Sequence, residues 1–405
     1  MTISVLLFGG DLTKVQRALV ESGHEIYLFI RRKDLGPQHL SLPYRRIVTF
    51  NDIDDIEFVW ACVQAIVTGH ETLRCASVDD DYNGIAWDIA MRLGVTFPLS
   101  LACIQNTKNK EAARAITNTV SVKPVNFRLA SESDEIIDFV EASSCKMIVK
   151  PRHGTGSQNV FLLEPATVRS AMDLLDPDVS EWLIEEFIEG EEYSVESFSQ
   201  GGRHWVAGIT QKEKFPSSYI ESSHLFPAVL NEATQARITA FVCDALTALE
   251  LREGPAHTEI LVNTDGVFFV ETHARFGGDH IWELVRMVTG VDYVVLQTAF
   301  ILHEHFVLPE GTEHSGFAKI QYHHFYGEGI RVASLANTAA ALDSANAIEI
   351  GNLLPPGMAT RPLRSSSDRS YYIIAQGESL EAVDAGIARA EKLLRYELQA
   401  GKGQP

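Results

Sequence analysis

A chain of 405 residues with 45% hydrophobic content is long enough to bury a sizeable core and divides more naturally into two or three packed lobes than into one. Its 54 acidic against 34 basic residues give a formal net charge of −20, which repels phosphate backbones and anionic lipid surfaces and argues against nucleic acid or membrane as partners. The five cysteines, Cys62, Cys75, Cys103, Cys145 and Cys243, are scattered, odd in number and without a C-x-x-C pair, which argues against a disulfide framework or a Cys-based zinc site and reads as reduced, mostly buried thiols.

The opening MTISVLLFGGD has no basic residue ahead of a short apolar run, so it reads as a first strand rather than a signal peptide. Ile3 to Phe8, an amphipathic stretch to about Glu21 and the run Glu25 to Ile30 predict a strand–helix–strand unit and an open α/β first lobe. Gly9-Gly10 belongs to no G-x-G-x-x-G, so a tight connection is expected there rather than a dinucleotide site. A helical pattern over Tyr82 to Leu93 precedes Gly94 and Pro98, and a new one starts near Thr107, which places a lobe boundary near residue 100.

Beyond Ser121 the alternation predicts strands at Val125 to Leu129, Lys146 to Lys150, Val160 to Leu163, Trp182 to Phe187, Tyr193 to Phe198 and His204 to Thr210, with helices at Asp134 to Glu141 and Ala166 to Leu175. A long helix from about Glu232 to Leu249 leads to strands Ala256 to Val262 and Val267 to Glu271, joined through Asp265-Gly266 as a hairpin. Val291 to Leu308 is interrupted by Asp292, His303, Glu304 and His305, so it is expected as a packed helix, and the chain as a soluble cytoplasmic protein. The last segment predicts strands at Gly316 to Tyr322 and Tyr371 to Ile374, a turn at Leu354 to Gly357 and a closing helix from about Leu380 to Tyr396.

Three segments carry chemistry. Lys150 ends a strand and is followed by Pro151-Arg152-His153-Gly154-Thr155-Gly156-Ser157, a point charge beside glycines that let backbone N–H groups approach phosphate oxygens. The spacing is not that of a Walker A loop, and an ordinary Gly-rich hairpin has the same composition. Ile184 to Glu192 is acidic with interleaved apolar residues; such a segment can offer main-chain groups to an adenine edge and a carboxylate to ribose, or can simply be a solvated hairpin. Glu259 and Glu271 sit on consecutive strands with His273 two residues on, an oxygen-rich site suited to magnesium. The following Ala274-Arg275-Phe276-Gly277-Gly278-Asp279 can hold a transferring phosphoryl group and a developing oxyanion.

In this order the segments resemble the ATP-grasp superfamily over roughly residues 80 to 305. The resemblance implies an α/β fold of three parts: an N-terminal open α/β domain (1–100), a central ATP-grasp domain (101–305, with a small lid lobe at about 121–200) and a C-terminal lobe (306–405) completing the substrate site. It implies ATP and Mg2+ as cofactors, with Mn2+ as a substitute, and small-molecule carboxylate and amine substrates. By the same resemblance Lys110 and Lys150 contact phosphate with the loop His153, Gly154, Gly156 and Ser157. Glu185 with the backbone of Glu186 and Ile188 clamps adenine, and Glu192 takes the ribose. Glu259 and Glu271 hold magnesium, and Arg275, with Gly277 and Gly278 at a helix N-terminus, stabilises the acyl phosphate and oxyanion. Two departures stand out: His273 occupies the asparagine position of the usual Glu-x-Asn, where a neutral imidazole can still join Glu259 and Glu271 as a metal ligand though less typically for magnesium, and Gln158-Asn159 replaces glycine after the loop.

Within the superfamily, Glu271 to Asp279, Glu221 to Ala228, Pro355-Pro356-Gly357 and Ser366 to Tyr371 look most like the L-amino-acid ligases that make dipeptides, with His224 and Arg275 at the substrate. That implies amide formation between amino acids through an acyl phosphate, in a chain whose relatives are often homodimers. Alternatives are another ATP-grasp ligase or carboxylase, or a non-catalytic nucleotide-binding regulator. A dehydrogenase lacks the glycine fingerprint.

Overall fold

The computed structural model describes residues 2–67, 72–154, 159–216, 218–309, 311, 313–326, 331–336, 338–345, 347–354 and 358–399. The expected loop residues Gly156 and Ser157, and Pro355-Pro356-Gly357, lie outside them.

Strands β1 (Ser4–Phe8), β2 (Glu25–Arg31), β3 (Arg46–Phe50) and β4 (Leu73–Ser77) form a parallel sheet in the order β3-β2-β1-β4. Both faces of β1 are covered, which is why it reads as an unbroken apolar run. Val5 and Leu7 join a core with Val15 and Leu19, while Leu6 and Phe8 join another with Ile85 and Ile89. Gly9 (φ 111°) makes the tight connection: a Cβ there would meet Asp79 Cβ at 2.5 Å.

The helical pattern near Thr107 resolves into two helices, Leu101–Lys108 and Lys110–Asn118. Asn109 between them has extended backbone, and its side chain accepts the Glu111 and Ala112 amides, so Lys110 becomes the first residue of a capped helix. Next comes a small antiparallel sheet of β5 (Phe127–Ala130), β6 (Met147–Pro151), β7 (Phe161–Leu163) and β8 (Trp182–Glu186), ordered β5-β8-β6-β7. The helix Ser133–Ala142 packs Ile136, Ile137 and Val140 on it. The expected helix from Ala166 to Leu175 shrinks to Val168–Ala171 and a 3-10 turn, a segment of which only Val168 is fully buried while Ala171, Met172 and Leu175 pack part-buried against the same core.

The large sheet takes β9 (Glu191–Gln200), β10 (Arg203–Lys214), β11 (Glu221–Phe226), β12 (Gly254–Val262), β13 (Val267–His273) and β14 (Phe317–His323). After β15 (Arg331–Ala336), β16 (Ala347–Asn352) and β17 (Tyr371–Gly377) complete it in the order β13-β12-β9-β10-β11-β14-β17-β16, while β15 pairs with β18 (Arg395–Gln399). The small sheet ends at Glu186, so residues 191–200 belong to the large sheet rather than to a lid. The C-terminal segment supplies three strands of that same sheet, joined through β11, a strand absent from the sequence-based expectation.

The helix Glu232–Ala248 packs Ile238, Val242 and Leu246 into the core shared with β1. Helices Ile281–Thr289 and Tyr293–Leu302 meet at 104°, and no single helix among the described residues is long and apolar enough to cross a membrane. Cys75 and Cys103 are buried, while Cys62, Cys145 and Cys243 are only half-buried; all five are free.

Candidate active site

One face of the large sheet is polar, and its register explains why. Residues directly across a ladder share a face, as do residues two apart on a strand. Glu259 pairs with Glu271 on one side and Ser194 on the other; His257 pairs with His273 and with Glu196. Ser194 pairs in turn with Thr210, and Lys212 with His224. Strands β13, β12, β9, β10 and β11 therefore aim acids, histidines and a lysine at one surface. A bulge between Glu259 and Ile260 corrects the phase: below it Ile260 faces Phe269, above it Glu259 faces Glu271. The turn is fixed by Asn263, whose Oδ1 accepts the Asp265 and Gly266 amides at 2.8 and 3.2 Å.

Each expected metal acid is backed by a histidine and a second carboxylate. His257 donates Nε2–H to Glu259 (3.2 Å) and Nδ1–H to Glu196 (2.6 Å). Burial alone would lower the His257 pKa, but Glu196 and Glu259 raise it to about 9, so it is an imidazolium at neutral pH. His273 likewise donates Nε2–H to Glu271 (3.3 Å) and Nδ1–H to Asp80 (2.7 Å). Burial again opposes the charge, and Asp80 and Glu271 again win, raising the pKa. Burial would push the Glu271 carboxyl up, but His273 and then Lys110 hold it at about 2. Glu259 is held well below its ordinary value against burial, chiefly by Lys212, whose Nζ lies 2.6 Å away. The two carboxylates suit a hard divalent cation, and both line one cleft. His273 has both ring nitrogens against carboxylates, Asp80 at 2.7 Å and Glu271 at 3.3 Å, so a metal on this ring would have to displace one of those hydrogen bonds.

The cleft, of about 750 Å³, opens between the small and large sheets, within the range of small-molecule sites. Lys110, Lys150, His153, Gly154, Glu185, Glu186, Ile188 and Glu192 all line it, so every described residue expected at the nucleotide is there. Lys110 Nζ lies 3.5 Å from Glu271 and donates to the Gly154 carbonyl. Lys150 Nζ is 2.6 Å from Glu185 Oε2, and Arg114 Nε is 2.6 Å from Glu185 Oε1. Burial raises the Glu185 carboxyl, yet Arg114 and Lys150 bring it down to about 2. The Glu185 side chain is thus the buried anchor of two cations. Glu186 donates its N–H to Asn126 (2.8 Å), so of its two main-chain groups only the carbonyl remains for a base. Glu192 accepts Lys212 (3.0 Å) and Lys214. Burial and Arg152 lower the His153 pKa, so that imidazole is neutral.

Arg275 lies at the junction with the first lobe, 3.6 Å from Asp80 and donating to the Phe276 carbonyl at 3.1 Å. The expected helix N-terminus at Gly277-Gly278 is displaced: the helix starts at Ile281, after Asp279 (φ 52°) and His280 (φ 62°) in left-handed conformation. The Gly277 N–H already donates to Glu196 (3.1 Å), so it is not free for an oxyanion here. A Cβ on Gly277 would meet His257 Nδ1 at 2.8 Å, which is why glycine stands there. Gly278 has open space around it. His224 Nε2 is 3.1 Å from Asp279, whose carboxylate also takes both guanidinium nitrogens of Arg369 at 2.6 and 2.8 Å. Arg369 is itself stacked 3.6 Å over Tyr322.

Sequence reasoning missed Asp80, Arg114, Glu196, Lys212, His257 and Arg369. Two had a signal: His257 precedes Glu259 by two, mirroring His273 and Glu271, and Lys212 and Lys214 share a strand face.

Residues 143–283 match the family model described as ATP-grasp domain. The chain is 21% identical over 234 residues to dapdiamide A synthase of Enterobacter agglomerans, covering 54% of each chain. It is 23% identical over 219 residues to alanine–anticapsin ligase of Bacillus subtilis, covering 47% of this chain and 46% of that one. The chain thus spans about half the length of these curated relatives. The fold superimposes on an L-amino acid ligase from Bacillus licheniformis with a TM-score of 0.79 at 19% identity, over 98% of this chain and 99% of that one.

Proposed function

From an ATP-grasp domain at residues 143–283 in a chain with the ATP-grasp fold, we propose that this protein is an ATP-dependent carboxylate–amine ligase that joins two amino acids by an amide bond. The carrying observation is that Lys110, Lys150, Glu259 and Glu271 line one cleft, with Lys110 3.5 Å from Glu271. Cations for phosphate oxygens stand beside acids for a divalent ion. The relatives' names, an alanine–anticapsin ligase and an L-amino acid ligase, support amino acids as the substrate class.

In this reading the acyl substrate's carboxylate oxygen attacks the γ-phosphorus of ATP; the bond to the β-phosphate oxygen breaks, giving an acyl phosphate and ADP. The amine nitrogen then attacks the acyl carbon, and phosphate leaves with the oxygen it gained. Lys110 and Lys150 bind and orient the phosphates, Lys150 being fixed by Glu185. His153 and Gly154 cover them, with Gly156 and Ser157 assigned to the same loop from sequence. The main chain near Glu186 and Ile188 borders the base and Glu192 the ribose. Arg275 stabilises the acyl phosphate and the tetrahedral intermediate, and His224 stands at the substrate side. Glu259 and Glu271 would hold Mg2+ or Mn2+, which supplies charge neutralisation for the transferring phosphoryl group. Gly278 has open space around it for the developing oxyanion, and Gly277 serves through its contact with Glu196.

The test is ADP formation from ATP and magnesium with acid and amine supplied singly and together. Turnover that needs both supports the ligase; turnover with bicarbonate alone would assign a carboxylase instead.

A further inference from the structure

Lys212 has no place in the phosphate chemistry just described, yet it is among the most completely buried charges near the cleft. Its side chain is 2% exposed. Its ammonium lies 2.6 Å from Glu259, 3.0 Å from Glu192 and 3.1 Å from Glu221, so three N–H donors meet three carboxylates. Those carboxylates come from three different strands, β12, β9 and β11. Glu192 and Glu259 line the cleft, while Lys212 is not among its lining residues. The ammonium therefore sits behind the acids, where it cannot replace Lys110 or Lys150 at a phosphate.

Resting on the reading that Glu259 and Glu271 hold a divalent cation, we propose that Lys212 is the built-in counter-ion of that site. It balances the acids while the cleft is empty and keeps a free cation from settling before the nucleotide brings one. The physical cause is direct. A divalent ion on Glu259 shares that carboxylate with an ammonium already bound to it, and like charges on one carboxylate repel appreciably even at high effective dielectric. The nucleotide's own oxygens add the negative charge that tips the balance, so cation and nucleotide bind together. Without Lys212, Glu192 would keep only Lys214 and Glu259 only His257 beside it, and Glu221 would lose its ammonium, leaving a net negative cluster that attracts a divalent ion. Removing Glu221 instead, on the side of Lys212 away from Glu259 and Glu271, leaves the ammonium less neutralised and should repel the cation more.

The test measures binding of Mn2+ alone, by electron paramagnetic resonance of the free ion, to the nucleotide-free full chain, and repeats it with ADP. Wild type should bind Mn2+ weakly alone and more tightly with ADP. Lys212→Met and the charge-balanced K212M/E221Q should bind Mn2+ alone at least about tenfold tighter. Lys212→Arg should behave as wild type, and Glu221→Gln should bind severalfold weaker. Misfolding does not tighten a metal site, so the opposite signs separate electrostatics from damage. Equal Mn2+ affinity in wild type, K212R and E221Q, or no tightening in a folded K212M/E221Q, overturns the proposal. If wild type binds no Mn2+ even with ADP, the metal assignment itself fails and the proposal falls with it. Absence of amide product with normal Mn2+ behaviour would count against the ligase reading alone.

Discussion

Asp80 and His273 are 193 residues apart in sequence and 2.7 Å apart in the fold, Oδ2 to Nδ1. Asp80 follows the last strand of the parallel sheet, and His273 ends the edge strand of the large one. Because the other ring nitrogen of His273 lies 3.3 Å from Glu271, the first lobe reaches the Glu271 carboxylate through the His273 ring. Asp80→Asn and His273→Ala should each lower kcat/KM by about tenfold, and the double variant should lose little more than either alone, since both break one chain. Steady-state rates of the four proteins decide; additive losses would mean that the residues act separately.

Glu271→Gln should reduce turnover at least about 100-fold, a loss of the size seen when one electrostatic contact to a transition state is removed. Its thermal midpoint should stay near that of wild type, because the carboxylate lies at the cleft rather than in the apolar core. Wild-type-like phosphate release in magnesium would sink the assignment of Glu271 to the metal.

Local signals made part of this site legible. Lys150 at a strand end, the Glu259 and Glu271 hairpin, and Arg275 after it each lie within a few residues of the pattern that announces them, and the structure brings Lys110, Lys150, Glu259 and Glu271 to one cleft. Asp80 and Arg369 gave no such signal, because their meaning lies in partners far off in the chain, and the weak signal of Lys212, a strand face shared with Lys214, reads as mere charge until β9, β11 and β12 close around it. Strand β11 was missed for a related reason. Glu221-Ser222-Ser223-His224 is polar, and its strand state comes from pairing with β10 and β14 rather than from propensity. Glu185, expected at the base, lines the cleft, and its ion pairs with Arg114 and Lys150 add a role as their anchor that no local pattern announces.

Arg369 holds the strained turn at Asp279 and His280 by its fork on Asp279, assisted by the Tyr322 hydroxyl on the Asp279 carbonyl at 3.0 Å. Arg369→Met should destabilise the fold by about 1–3 kcal/mol, less than for a fully enclosed pair because Asp279 is 29% exposed. It should lower kcat while leaving KM for ATP within about twofold. Arg369→Lys should recover part of the loss, since charge is restored without the fork. A rise in KM for ATP as large as the fall in kcat would contradict a role confined to the substrate side.

Glu185 gives a pH dependence whose sign is fixed. Its folded pKa, about 2, lies below the ordinary glutamate value of about 4.5, so its stabilisation is complete well above pH 4.5 and is lost as pH falls toward 2. Relative to Glu185→Gln, wild type should lose about 2 kcal/mol of its advantage between pH 6 and pH 3. Urea unfolding at several pH values checks this; a constant difference would mean that the carboxylate titrates normally.

The central claim is that a carboxylate is activated as an acyl phosphate, and oxygen tracing tests it most directly. L-amino acids carrying 18O in their carboxylates would be incubated with ATP, magnesium and the protein, and the released phosphate and organic products analysed by mass spectrometry. The account predicts phosphate bearing one 18O together with a condensed product lighter than the sum of its two amino acids by one labelled water. Condensed product accompanied by unlabelled phosphate would contradict it.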